Sequence, residues 1–291
     1  MIKPKYLNNF LNGNIGDNDN LYEYSKLSIE DKQLLQSEVQ KLLKPELREL
    51  LLNNINDLYE REIYSNLGVH STKHIEDVML FSIIIGDNIG LNQNTLNLLI
   101  EASKYHDTGR VEDYDTQKVY YLNGKYHGDI HGSLSASKSL EDLKDKYNKE
   151  DLSLIATAIE YHAVIGDNID VLKEICNKYE IDTNNIKIMD KVIKLAYSLK
   201  DADALDRARF LYTSNGFVNP KYLRYDISKS LIKVSEQINE GYALNDLNEL
   251  CLNRPDLEPK INQKLEETNN PKEVIRLYRH GYLVSSNNLK L

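Results

Sequence analysis

From His70 onward, apolar residues recur every three or four positions and strand-type alternation is nearly absent. This period predicts helices over 70–85, 94–107, 131–147, 150–163, 168–179, 185–203 and 221–240, so the expected fold class is all-α. One stretch departs from it: "KVYYLNGKYHG" alternates on either side of Asn123-Gly124, the signature of a short hairpin. Upstream, Ser28 and Asp31 resemble a capping box. They open a helical pattern (Leu34, Leu35, Val39, Leu42, Leu43) that Pro45 interrupts and that resumes to about Arg61. The tail after 241 is punctuated by Pro255, Pro259 and Pro271, and its last helix starts at Pro271 and stops before Gly281. The pattern gives the chain a polar start and a helical N-terminal extension, then a long run of helices and a more weakly periodic tail.

Several of these apolar stripes end in a histidine or an aspartate. His70 and His74 share a stripe with Val78, Phe81 and Ile85, and Leu96, Leu99 and Ser103 lead to His106 or Asp107. Ile155 and Ile159 lead to His162, and Ile188, Val192, Leu195 and Leu199 lead to Asp203. Four helices thus aim imidazoles or carboxylates inward. A single buried histidine is most simply a satisfied core residue. Burying several together makes sense when they share a cation or a hydrogen-bond network. The ordered series His74, His106-Asp107, His131, His162, Asp203 offers nitrogen and oxygen donors without thiolate. That chemistry suits one or two divalent transition ions (Fe, Mn, Co, Ni or Zn) in an open five- or six-coordinate site.

Composition narrows the picture. The two cysteines, Cys176 and Cys251, form no CxxC, which excludes a Cys-rich zinc site and points to reduced thiols. The N-terminus has no apolar signal region, and the longest apolar stretch, "VMLFSIII" at 78–85, is too short to span a membrane, so a cytoplasmic protein without membrane partners is expected. The net charge of −9 argues against a grip on duplex nucleic acid. It leaves room for a small anionic substrate held by a metal or an arginine. The 20 tyrosines are spread along the chain without a stacking cluster. The runs at 141–151 and 262–273 read as solvated helix faces, and the abundance of Asn as base-composition bias.

The order of the polar residues resembles the HD-domain metal-dependent phosphohydrolase superfamily, over roughly residues 65–212. "HSTKHIEDV", "YHDTGR", "HGSLSA", "AIEYHAV" and "LKDADALDRAR" match its segments in order. The resemblance implies an HD-type helical bundle as the catalytic domain at 65–215, between a polar start with a helical extension at 1–64 and a helical C-terminal extension at 216–291. It also implies His74, His106, Asp107, His131, His162 and Asp203 as metal ligands, with Asp201 as the alternative last ligand. By analogy with two-metal members, His74, His106, Asp107 and Asp203 would hold one ion and His131 and His162 a second, with Asp107 bridging. Such a pair can clamp the attacking and leaving oxygens of a displacement at phosphorus and lower the pKa of a water. The activity implied is a phosphodiesterase or phosphatase acting on a nucleotide or similar small phosphorylated substrate.

"VHSTKHIEDV" also partly matches the HNxxHAxDV segment of cyclic-nucleotide phosphodiesterases, which implies that His70 is a general acid for the leaving oxygen. Ser71 and Ile75 depart from that segment, so its substrate is not carried over. Bacterial effector domains that cleave phosphoribosyl-linked ubiquitin offer a second precedent, and with it the alternative of a phosphodiesterase acting on a modified protein. A non-catalytic nucleotide- or metal-binding regulatory module is the third reading. Arg110 is either a phosphate-gripping guanidinium or a solvated partner of Glu112 or Asp113. Gly109 is expected to turn the chain out of its helix, and His127 to be a loop residue, the alternative being a donor behind the ligands or a substrate contact. Lys73 and Lys200 are expected to face solvent, Asp206 and Arg207 to form an ion pair on the last helix that either supports the metal ligands from behind or is structural, and Tyr105 and Tyr161 to pack beside the site. The terminal additions are available to cover a cleft, bind a partner or form a homo-oligomer.

Overall fold

The computed structural model describes residues 37, 39–61, 72–110, 119–122, 125–210 and 218–277, apart from 272 and 276. The Ser28 capping box and His70 lie outside the described residues, as do Glu112 and Asp113. The fold is all-α with one hairpin. In chain order the elements are α1 (Pro45–Glu60), α2 (Thr72–Asn88), α3 (Gln93–Tyr105), β1 (Val119–Leu122), β2 (Lys125–Asp129), α4 (His131–Leu143), α5 (Lys149–His162), α6 (Ile169–Lys178), α7 (Ile186–Leu205), α8 (Asp226–Ser230), α9 (Ile232–Asn253) and α10 (Glu258–Thr268). The hairpin falls where the alternation predicts it. Its ladder pairs Tyr120 with Gly128 and then Tyr121 with Tyr126, so the register passes over His127 as at a β-bulge.

The described chain forms two compact units, one spanning Leu43–Asp206 with Val218–Ile232 and the other built from described residues of 1–42, 207–217 and 233–291. In the first, α2 packs against α3 and α7, and α5 against α3, α4 and α7. Every residue of α2 from His74 to Gly86 is buried, because its sequence is apolar almost all round. The second unit has its own small core of Leu247, Ile261, Leu265, Val274 and Ile275. Cys176 is buried, Cys251 partly so, and both are free thiols. No helix among the described residues is long and apolar enough to cross a membrane.

Asparagines start the bundle's helices. Asn92, Asn148, Asn168 and Asn185 each accept a backbone N–H of the first turn of α3, α5, α6 and α7. The Asn-rich composition therefore has a local structural use beyond any bias.

Two helices end differently from the periodic expectation. α3 stops at Tyr105, where the Thr108 hydroxyl and backbone N–H both donate to the Tyr105 carbonyl and close the helix. The 221–240 segment is broken into a 3-10 turn at Pro220–Tyr222, then α8 and α9. Its backbone is drawn away by Asp201, whose carboxylate accepts the N–H groups of Arg224 and Tyr225 at 2.9 and 3.1 Å.

Candidate metal centre

The polar series converges because each member sits near a helix end. His74 is in the first turn of α2, His106 and Asp107 directly follow α3, His131 begins α4, His162 ends α5, and Asp203 lies in the last turn of α7. His74, His106, Asp107, His131 and His162 are all buried, whereas the Asp203 side chain is 28% exposed.

Asp107 is the hub. Its Oδ2 lies 3.3 Å from His74 Nε2, and its Oδ1 lies 3.4 Å from His131 Nε2 and 3.6 Å from His162 Nε2. Asp203 Oδ1 stands 3.4 Å from His74 Nε2 and 3.9 Å from His106 Nε2. The Nε2 atoms of His74 and His106 are 2.9 Å apart, and those of His131 and His162 are 3.2 Å apart.

The far side of three rings fixes what the near side presents. His106 Nδ1 lies 2.7 Å from the Ser103 carbonyl oxygen, and His162 Nδ1 contacts the Ile159 carbonyl oxygen. A carbonyl only accepts, so in both rings Nδ1 carries the proton and Nε2 carries the lone pair. His74 Nδ1 lies 2.7 Å from Asp206 Oδ2, and donation to that carboxylate likewise leaves a lone pair on Nε2. The 2.9 Å approach of His74 to His106 thus brings two lone pairs together. Neutral rings in these tautomers have no proton to share there, and a cation between them is the natural counterpart. Two nitrogens each ~2.1 Å from one ion and at right angles would stand ~3.0 Å apart, so the spacing suits such an ion.

The rings are held in the ligand form. Burial pushes the His106 pKa down to about 3 against the opposing pull of Asp107. Burial, reinforced by His162 and Arg110, pushes that of His131 down to about 2. His74, His106 and Asp107 form one group able to hold a metal ion, and Asp107, His131 and His162 another. Asp107 belongs to both.

Of the two aspartates weighed for the last position, Asp203 reaches the cluster. Asp201 is instead fully buried against Arg224, whose Nη1 donates to it at 2.8 Å. Arg110 places Nε 2.7 Å from Asp107 Oδ1, a close ion pair without hydrogen-bond alignment, with its side chain 20% exposed. Tyr105 and Tyr161 are buried, Tyr105 accepting from Arg61 and Tyr161 stacking on Tyr197.

Four expectations are corrected. Lys200 does not face solvent: its ammonium is buried, donates to the carbonyls of Val164 and Gly166 and lies over the Tyr161 ring, because the chain after α5 folds back on α7. Lys73 is partly buried at the start of α2. Asp206 turns inward to His74 while Arg207 is exposed, since α7 gives way there to a 3-10 turn. Gly109 does lie in the turn that leaves α3, as expected, and there, without a positive φ, it is needed for close approach: a Cβ would stand 2.4 Å from the Ser135 backbone nitrogen. His127 lies in β2.

Sequence reasoning missed the buried charges around the bundle. Glu101 accepts from Lys146 and lies near Lys104, which is itself fully buried and bonded to Asp57. Glu160 accepts from Lys178 and Tyr179. Glu76 accepts from Tyr59, and burial pushes its pKa up to about 8. Glu76 directly follows the His74 stripe on α2, yet nothing in a 3.6-residue period distinguishes a buried carboxyl from an exposed one.

Compared with known families, curated proteins and solved structures, the chain matches no family model, no curated protein and no solved structure.

Proposed function

We propose that the protein is a metal-dependent phosphohydrolase of the HD type, a phosphodiesterase or phosphatase acting on a nucleotide or similar small phosphorylated molecule. The observation that carries this reading is the meeting of two metal-competent groups on one carboxylate, Asp107. Divalent ions held there would supply Lewis-acid polarisation of a phosphoryl oxygen and a water acidic enough to attack near neutral pH.

The chain's own residues provide the rest. His74, His106, Asp107 and Asp203 form one ligand set, and His131 and His162 complete the second around the same aspartate. Asp203 is the most exposed of them, which supports approach of a substrate from its side. The position of Arg110, anchored at Asp107 and still partly exposed, supports a role in gripping a phosphate oxygen. His70 remains the candidate leaving-group acid on the strength of its sequence segment.

The test is metal analysis of the protein as purified, followed by a screen of phosphomonoesters against phosphodiesters with added Mn²⁺. A bound transition metal, and hydrolysis abolished both by chelator and by His106→Ala, are expected. Hydrolysis indifferent to both overturns the reading. A diester preference that falls in His70→Ala with metal content unchanged supports His70 as the acid.

A further inference from the structure

Lys200 of α7 is bound in the manner of a free cation. Its Nζ donates to the carbonyl oxygens of Val164 and Gly166 at 2.7 and 2.5 Å and lies 4.5 Å from the centre of the Tyr161 ring. Asp167 Oδ1 stands 3.9 Å away, beyond hydrogen-bond reach, and is already engaged by the Arg224 guanidinium. Carbonyl oxygens and a ring face thus carry most of the solvation of a buried charge, as they do for a bound monovalent ion. Burial, reinforced by Arg224, pushes the pKa of Lys200 down to about 8, so at neutral pH the amine is still mainly charged.

Resting on the metal reading for its second half, we propose that Lys200 is a tethered monovalent cation: it fastens the loop 163–168 to α7 and through that loop positions His162. Its cage of two carbonyls and one ring takes an ammonium ion when the side chain is removed.

The loop is shaped around this occupant. Gly166, one of the two carbonyl donors to the cage, adopts φ +68°, a conformation that residues with a Cβ rarely take. Tyr161 brackets the loop from its other end: its hydroxyl accepts the Asn168 N–H at 2.9 Å and donates to the Asn168 carbonyl at 3.3 Å. The Val164 N–H returns to the Tyr161 carbonyl at 3.1 Å. His162 lies between Tyr161 and Val164, both of which touch the Lys200 ammonium.

Lys200 also stands three residues before Asp203 on α7. One side chain therefore ties the segment that carries His162 to the helix that carries Asp203. In the proposed centre these two belong to different ligand sets, so the tie fixes one set relative to the other. Lys200 acts through the loop and is a positioning residue. Arg224 makes a second tie from Asp167 to Asp201 of α7, which remains when Lys200 is truncated.

Hydrogen exchange of the full-length protein at neutral pH, read at the Val164 and Asn168 amides with ammonium chloride as the probe, tests the fastening. Lys200→Ala should speed their exchange ~10–100-fold, because two buried carbonyls lose a charged donor. Ammonium at ~0.1 M should bring the rates back to within ~3-fold of the natural protein, whereas tetramethylammonium, with the same charge and no N–H, should not. Lys200→Met, whose side chain fills the cage, should stay fast in ammonium. Unchanged exchange in Lys200→Ala, or exchange that ammonium and tetramethylammonium leave equally fast, overturns the proposal.

Mn²⁺ titration of the same preparations reads the positioning. Binding should weaken ~10-fold in Lys200→Ala and recover with ammonium. Exchange that ammonium restores while Mn²⁺ affinity never moves overturns the positioning of His162 and leaves the metal reading intact. A natural protein that binds no Mn²⁺ overturns the metal reading, and the exchange result then decides the fastening by itself. If Lys200→Ala does not fold, nitrogen-15 NMR of the natural protein decides: a lysine ammonium that exchanges slowly with water and is shifted by an aromatic ring is expected, and its absence overturns the proposal.

Discussion

Gly109 is pressed against His131: a Cβ at position 109 would stand 2.6 Å from the His131 carbonyl oxygen. The turn that follows α3 and the first turn of α4 are thereby held at a distance that only a hydrogen atom permits, and the Gly109 N–H donates to Ser135 Oγ at 2.8 Å across the same contact. Asp107 lies two residues before Gly109, so the spacing of Asp107 to His131 depends on this approach. Gly109→Ala is expected to cost ~1–3 kcal/mol of stability through overpacking. It should also reduce metal content, measured by thermal melting and metal analysis of the same preparation. A variant with unchanged melting and full metal would show that the contact does not set the site.

Because Asp107 is shared, its loss should act on both ion positions at once. On the proposed reading, Asp107→Asn is expected to abolish high-affinity binding of every metal equivalent and, with it, hydrolysis. Retention of one tight equivalent in this variant would mean that the carboxylate is not shared.

Glu76 gives a pH dependence of opposite sign to ordinary acid denaturation. Its folded pKa is raised from 4.5 to about 8, so the folded state keeps a proton that the unfolded chain releases. Stability from this group is full below 4.5 and is lost as pH rises toward 8. Glu76→Gln, which imitates the protonated carboxyl toward Tyr59, is expected to melt with the natural protein at pH 4.5 and a few degrees above it at pH 8. Identical melting at both ends would refute the assignment.

His106 and His131 act in the other direction. Their folded pKa values, about 3 and about 2, lie below the ordinary 6.5, so below pH 6.5 the unfolded chain takes up protons that the folded chain refuses. The metal-free protein should lose melting temperature steadily from pH 6.5 toward pH 3. His106→Gln should flatten part of that slope. A slope unchanged by the substitution would place the acid sensitivity elsewhere.

The helical period was legible from sequence because apolar stripes of the α5 and α7 kind obey a geometry set by the backbone alone. That His74, His106 or Asp107, His162 and Asp203 face inward was legible from the apolar stripes; His131 entered through the ordered series, and that order is what the HD resemblance rests on. Its metal chemistry and activity stand as a proposal. What could not be read was which atom each residue meets. Asp201, Asp203 and Asp206 lie within six residues: Asp201 and Asp203, two apart in α7, point to different faces, toward Arg224 and toward the cluster, and Asp206, where α7 gives way to a 3-10 turn, lies behind His74. Lys200 misled for the same reason, since its carbonyl partners come from a loop more than thirty residues earlier. Local pattern carries no record of such long-range partners.

α2 has no solvent-facing side from His74 to Gly86. Its amide hydrogens can therefore meet water only when the surrounding bundle opens. In deuterated water they should be among the slowest in the chain to exchange, and His74 sits at the near end of that protected stretch. On the proposed metal reading, release of an ion from His74 and opening of the bundle around α2 are expected to share one rate.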